Sequence, residues 1–188
     1  MSRFSDYLEA VSRLNGLARG MENNSKVQWL FHPGMLFSSM DKWWKDFRPR
    51  QSAHEGIDIT YYRRRPDELC CFGASIKVPA MDDGMILNIC DDFLGKSLVV
   101  EHENSILFNT RIIFAYAHVM PEKGFKRGDI IQKEEVIARV GNTGKNPRLP
   151  PHLHFSCFEV PGHVKARDLN WELFSKSFDV NIIHPLFI

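Results

Sequence analysis

What the 188-residue sequence lacks narrows the reading first. It has no charge imbalance. The formal net charge is +1, so nothing draws the whole chain to nucleic acid or an anionic membrane. It has no apolar run approaching the length of a transmembrane helix, so no integral membrane segment is expected. Its start, Met1-Ser2-Arg3-Phe4-Ser5-Asp6, offers neither a continuous apolar core nor a cleavage site and does not read as a signal peptide. Its four cysteines, Cys70, Cys71, Cys90 and Cys157, form no C-x-x-C pair. They read as small buried residues of a reduced protein, not as a disulfide framework. Apolar and charged fractions are ordinary, which fits one globular domain with a short extension.

Against these absences stand the histidines. In Pro150-Pro151-His152-Leu153-His154-Phe155 two imidazoles sit at i and i+2, on one face of a strand. Leu153, Phe155 and Cys157 then point the other way, into a core. The lead-in, Gly141-Asn142-Thr143-Gly144 to Pro147 and Pro150, reads as a loop. Two imidazoles on one rigid face suit metal binding, proton transfer, or one of each. His54-Glu55-Gly56-Ile57-Asp58 adds an imidazole and a carboxylate four residues apart. Gly56 and the β-formers Ile57, Ile59, Thr60, Tyr61 and Tyr62 argue strand over helix. Residues four apart on a straight strand lie roughly 13 Å apart, too far to share an ion. A bend is therefore expected, permitted by Gly56, with His54 in a turn and Asp58 on the strand after it. Phe114-Ala115-Tyr116-Ala117-His118 ends an apolar strand with a further imidazole. Two His and one Asp leave a position open for water, the pattern of a catalytic zinc, and two histidines remain for acid–base work.

Taken in order, His54-x-x-x-Asp58 in its His-x-Gly-Ile-Asp setting, Tyr116-Ala117-His118, and Gly141-x-Thr143-Gly144 running to Pro151-His152-Leu153-His154-Phe155 resemble the lysostaphin-type (LytM-like) zinc metalloendopeptidases. Many of these are peptidoglycan hydrolases. The resemblance covers residues 50 to 160, and more weakly Ile183-His184-Pro185. It implies one zinc per chain held by His54, Asp58 and His154, with His118 and His152 as catalytic histidines. It implies an endopeptidase acting on peptidoglycan stem or cross-bridge peptides. It also implies the family's mainly β fold, a compact two-sheet antiparallel sandwich or barrel-like hybrid. His102 resembles the family's structural turn histidine and is not counted as a ligand. Family habit points to a periplasmic or extracellular setting, whereas the start of the sequence and its cysteines point to the cytoplasm.

The remaining chain fills in around this centre. Residues 1 to about 20 read as an amphipathic helix through Phe4, Tyr7, Leu8, Val11 and Leu14, stopped by Gly20. Residues 1–49 are expected to be this helix and an irregular extension packed on a β domain of residues 50–188. Within the extension Trp43, Trp44 and Phe47 form an aromatic cluster that packs on the core or walls the cleft, and His32 is structural. Arg63-Arg64-Arg65-Pro66 reads as a solvated hairpin tip. From about 67 to 140 the pattern is all strand, with short β-branched and aromatic runs punctuated by Gly73, Asp83-Gly84, Gly95, Glu103-Asn104 and Gly128-Asp129. A short helix is expected within Asp168 to Phe178, capped by Asn170 or Asp168.

Zinc would bring the pKa of its bound water to about 7 and polarise the scissile carbonyl. No glutamate stands where an H-E-x-x-H enzyme keeps its base, so His118 or His152 must take the proton, with His118 preferred. The other would donate to the oxyanion or the leaving amine. Two departures from the family pattern bear on substrate: Ser156 stands where Glu is usual, and Pro147, Arg148 and Leu149 occupy a loop that is small and polar in relatives. Neither falls on the five key residues. A non-haem iron oxygenase would use two His and a carboxylate, but it leaves two histidines unexplained. A non-catalytic binding or regulatory module would keep the fold, but such relatives lack ligands that this chain retains.

Overall fold

The computed structural model describes residues 3–22, 25–44, 48–102, 106–107, 109–142 and 149–187. Phe47, Glu103-Asn104, Thr143-Gly144, Pro147 and Arg148, singled out above, lie outside these. Helix α1 (Arg3–Asn15) is followed by β1 (Gln28–Leu30) and a 3-10 turn at Pro33–Met35. Next come β2 (Gly56–Ile59), β3 (Tyr61–Arg65), β4 (Glu68–Cys71), β5 (Lys77–Pro79), β6 (Gly84–Asp91), β7 (Lys96–His102) and β8 (Ile106–Leu107). The chain continues with β9 (Thr110–Pro121), β10 (Ile130–Ile131), β11 (Val136–Val140) and β12 (Leu153–Pro161), then α2 (Trp171–Lys176) and β13 (Asn181–Ile183). The fold is mainly β, as expected. A three-stranded sheet runs β1-β3-β4, and a ten-stranded sheet is built around β9 and β12. Every ladder among the described residues is antiparallel.

Strand β9 is buried on both faces, which is why residues 113–117 read as an unbroken apolar run. On β9, Phe114 and Tyr116 face one core with Phe4, Tyr7, Leu8 and Val11 of α1. Ile113 and Ala115 face a second core with Leu169 and Phe174 at α2. Strand β12 divides the same way. Leu153, Phe155 and Cys157 join the α1 side, where Tyr7 stacks on Phe155 at 5.4 Å. Phe158 and Val160 join the α2 side, where Phe158 stacks on Phe174 at 4.2 Å. Burying an aromatic side chain contributes about 1.5–3 kcal/mol, so each helix is held mainly by these contacts.

Some local expectations are corrected. Helix α1 stops at Gly16, not Gly20. Gly16 takes φ +60° and its N–H donates to Arg13, while Leu17 N–H donates to Ser12, a Schellman closure that glycine permits. Arg63, Arg64 and Arg65 lie on β3 beside the hairpin tip, which is Pro66-Asp67. Arg64 pairs with Glu68 across it. All four cysteines are free but only Cys157 is buried, and Cys71 is exposed because β4 is a sheet edge. Asn170 caps α2 as foreseen, its Oδ1 accepting from Leu173 N–H at 3.0 Å.

Candidate metal centre and active site

Strand β12 lies between β2 and β9 at its start, and the register does much of the work. His154 is directly opposite Asp58 on β2 and Ala117 on β9. Residues opposite one another across a ladder share a face, so Asp58 meets His154 with the small Ala117 on the other flank. His54 precedes β2. Its backbone is tied by Ser38 N–H to His54 O (2.8 Å) and His54 N–H to Ser39 O (3.0 Å). Gly56 between them has no left-handed φ, so its value is room, not a bend. A Cβ there would lie 2.4 Å from Ser156 Oγ, 2.6 Å from Phe155 O and 2.9 Å from His154 Cε1.

Three donor atoms converge. His54 Nε2 is 3.3 Å from Asp58 Oδ1 and 3.1 Å from His154 Nδ1, and His154 Nδ1 is 2.8 Å from Asp58 Oδ1. Four ligands at about 2.0–2.1 Å around a tetrahedral ion are separated by about 3.3 Å, so the set fits a small N/O-ligated cation such as zinc. The atoms facing away are occupied. His54 Nδ1–H donates to Leu36 O (3.0 Å), which leaves the Nε2 lone pair for the centre. Asp58 Oδ2 accepts from Trp43 Nε1–H (2.6 Å). His154 Nε2 contacts Ser156 Oγ (2.7 Å). Ligand imidazoles and carboxylates in metal sites are oriented by such outer bonds. Burial pushes the Asp58 carboxyl up, but the charges and hydrogen bonds of His152, His154 and His54 outweigh it and hold the group well below the usual range.

The other two histidines stand beside this set. The His152 ring centroid is 4.9 Å from that of His118, which is 5.5 Å from that of His154. His152 Nδ1–H donates to Pro150 O (2.9 Å), so its Nε2 faces inward, 3.9 Å from Asp58 Oδ1. Burial holds His152 down at about 4.

His118 reaches the site through a backbone irregularity. Strand β9 pairs with β12 through Ala117 and with β11 from Val119. On its other edge the register to β7 slips between Leu98↔Tyr116 and Lys96↔Val119. At this bulge His118 takes φ +64°, unusual outside glycine, and its side chain is re-aimed. Asp92 locks it there. The Asp92 carboxylate accepts from His118 N–H (2.9 Å) and His118 Nδ1–H (3.1 Å), and also from Leu94 N–H, Gly95 N–H and Ser97 Oγ–H. Burial pushes Asp92 up, and the His118 hydrogen bond and charge outweigh it, keeping it ionised.

A cleft of about 270 Å³ opens over the five residues. Trp44, with the Arg50 guanidinium over its ring at 4.6 Å, walls one side. Phe93 walls another, edge-on to His118 at 4.8 Å. Trp171 and Ser175 of α2 line it, as does Leu149. None of Arg63, Arg64 and Arg65 lines it. A larger groove along α1, about 700 Å³, contains none of the five residues. His102 is elsewhere, buried, with Nε2 2.7 Å from Tyr116 Oη. His32 caps the Pro33–Met35 turn by accepting from Gly34 N–H.

All five residues read from the sequence are thus brought together. Missed were Trp43, whose role no spacing announces, and Asp92, whose sequence Asp92-Phe93-Leu94-Gly95 signals only a turn. Ser156, a departure from the family pattern expected to bear on substrate alone, touches His154.

The model of peptidase family M23 matches residues 52–167, well over half of the chain. The chain belongs to peptidase family M23. The lysostaphin-type resemblance is thereby borne out. An L-Ala–D-Glu endopeptidase of Bacillus subtilis (strain 168) is 27% identical over 117 residues, 60% of this chain and 31% of that protein. The chain thus spans less than a third of this curated relative. Among solved structures, LytU matches with TM-score 0.49 and 21% identity over 79% of this chain and 83% of that one. Lysostaphin matches with TM-score 0.45 and 18% identity over 76% of this chain and 46% of that one.

Proposed function

We propose that this M23 chain is a zinc-dependent endopeptidase that cleaves peptidoglycan stem or cross-bridge peptides, with one zinc per chain on His54, Asp58 and His154. Residues 50–188 form the hydrolytic β unit, on which residues 1–49 pack. The observation that carries the reading is the convergence of His54 Nε2, Asp58 Oδ1 and His154 Nδ1 while their outward atoms are held by Leu36, Trp43 and Ser156. His54, Asp58 and His154 would hold the zinc, which would supply Lewis acidity at the scissile carbonyl and to water.

The chain's own groups supply the proton chemistry. With Nδ1–H donated to the Asp92 carboxylate, which orients the ring, His118 presents the lone pair of Nε2 for a proton of the attacking water. This supports His118 as base. His152, with Nδ1–H fixed on Pro150 O and burial keeping the ring neutral, presents the lone pair of Nε2, so it gives a proton to the leaving amine only after taking up one released by the attacking water. The cleft walls of Trp44, Phe93 and Trp171 exclude water and offer apolar contact to an extended peptide. The activity of the Bacillus relative, at a bond involving a D-residue, supports a cell-wall peptide over an ordinary protein. The test is digestion of purified peptidoglycan by zinc-loaded protein, with the new amino termini identified. Cell-wall peptides should be cut and casein spared. His118→Ala and His152→Ala should keep zinc yet lose on the order of 10²- to 10⁴-fold in rate. Ready cleavage of casein with cell-wall peptides untouched would reject the substrate class.

A further inference from the structure

Two of the three candidate ligands are held by residues that precede the stretch matched by the family model. The segment begins with the Pro33–Met35 turn. Gly34 there has no space for a side chain, since a Cβ would lie 2.8 Å from Asp41 O and 2.9 Å from Trp43 N. The turn and residues 41–43 therefore cross in direct contact. Leu36, just past the turn, offers its carbonyl to His54 Nδ1–H. Trp43, past the crossing, donates Nε1–H to Asp58 Oδ2 at 2.6 Å. The indole is 4% exposed, wedged edge-on against His152 (5.2 Å, 89°) and packed with Met35 and Leu149. Arg50 approaches the same carboxylate oxygen at 3.7 Å while its guanidinium is anchored on Gly34 O (2.9 Å) and Asp41 O (3.0 Å).

The chemistry of this contact is specific. An indole N–H only donates, so it occupies a carboxylate oxygen without competing for a cation. A carboxylate with both oxygens free can clasp a cation with both. With Oδ2 held by Trp43, Oδ1 alone faces His54 Nε2 and His154 Nδ1. We propose that Trp43 is a positioning residue of the metal centre, fixing Asp58 as a one-oxygen ligand, so that the segment from Pro33 to Trp44 completes the site from outside the matched region. The inference rests on the metal reading above.

The experiment compares zinc affinity, by competition with a chromophoric chelator, for the full chain and for Trp43→Phe, which keeps a ring against His152 and loses the N–H. Affinity should weaken roughly 10- to 100-fold, as for other outer partners of metal ligands. Thermal unfolding of the metal-free variant should change far less than that of the zinc-loaded one. A variant that is destabilised without metal but binds zinc like the wild type shows a packing role only and overturns the proposal, leaving the metal reading intact. A wild-type chain that binds no zinc overturns both. If Trp43→Phe does not fold, the assigned indole N–H resonance of the wild type decides. It should be protected from solvent exchange and shift on addition of zinc. A freely exchanging, unmoved resonance overturns the proposal.

Discussion

Five buried polar side chains share one small space, and what separates their roles is the partner each keeps on its far side. A carbonyl behind His54 and a hydroxyl behind His154 orient imidazoles whose inner nitrogens converge on Asp58. Behind His118 the acceptor is instead a carboxylate, which carries a charge. Replacing His54 or His154 by Ala is expected to abolish zinc binding, measured as metal per chain after desalting; full retention in either variant would sink the ligand assignment. Asp92→Asn belongs to the other class. An amide cannot stabilise the His118 imidazolium as a carboxylate does, so turnover should fall on the order of 10²-fold with zinc retained. Rates on a cell-wall peptide beside metal content would show this, and near-native turnover would remove Asp92 from the mechanism.

At the scale of strands, the site depends on how closely β2 and β12 approach. Gly56→Ala puts a methyl group 2.6 Å from a main-chain oxygen that cannot swing away. Such overpacking costs about 1–3 kcal/mol, and a chain of this size loses roughly 2–4 °C in Tm per kcal/mol. Calorimetry of the metal-free protein should record that fall, and an unchanged Tm would mean that the strands separate freely. The alternation of β12 was legible in the sequence because period two assigns Leu153, Phe155 and Cys157 to one face and both histidines to the other. The pairing of His54 with Asp58 was legible as chemistry, but not the reason for Gly56, which lies on a neighbouring strand a hundred residues away in the chain. The His118 bulge was not legible. By alternation, His118 should face away from its neighbour Ala117, and the bulge, with its φ of +64° and its slipped register to β7, re-aims it. Trp43 was visible as an aromatic in a cluster, but hydrogen bonding across the fold leaves no local period to read.

For the molecule as a whole, the core on the α1 side of β7, β9 and β12 has to take in polar groups without stranding them. His102 does this at the end of β7. Met81 N–H donates to Tyr116 Oη, Tyr116 O–H to His102 Nε2, and His102 Nδ1–H to Asp83 O, a chain that closes only when the imidazole is neutral. Burial brings His102 down to about 4, and the opposing pulls of the Asp83 carbonyl and Asp82 do not restore it. In the unfolded chain an exposed imidazole titrates near about 6.5. Between these values the unfolded chain binds a proton that the native chain refuses, so the stability present above the unfolded pKa is lost as pH falls toward the folded one. From about pH 7 to about pH 5 this single group should cost about 2 kcal/mol. His102→Gln keeps hydrogen-bonding capacity without titrating, so its loss over the same interval should be smaller by that amount. Denaturant unfolding of both chains at the two pH values, with chelator present so that the metal centre contributes equally, measures the difference. Equal losses would mean that His102 is not the residue through which acid loosens the fold.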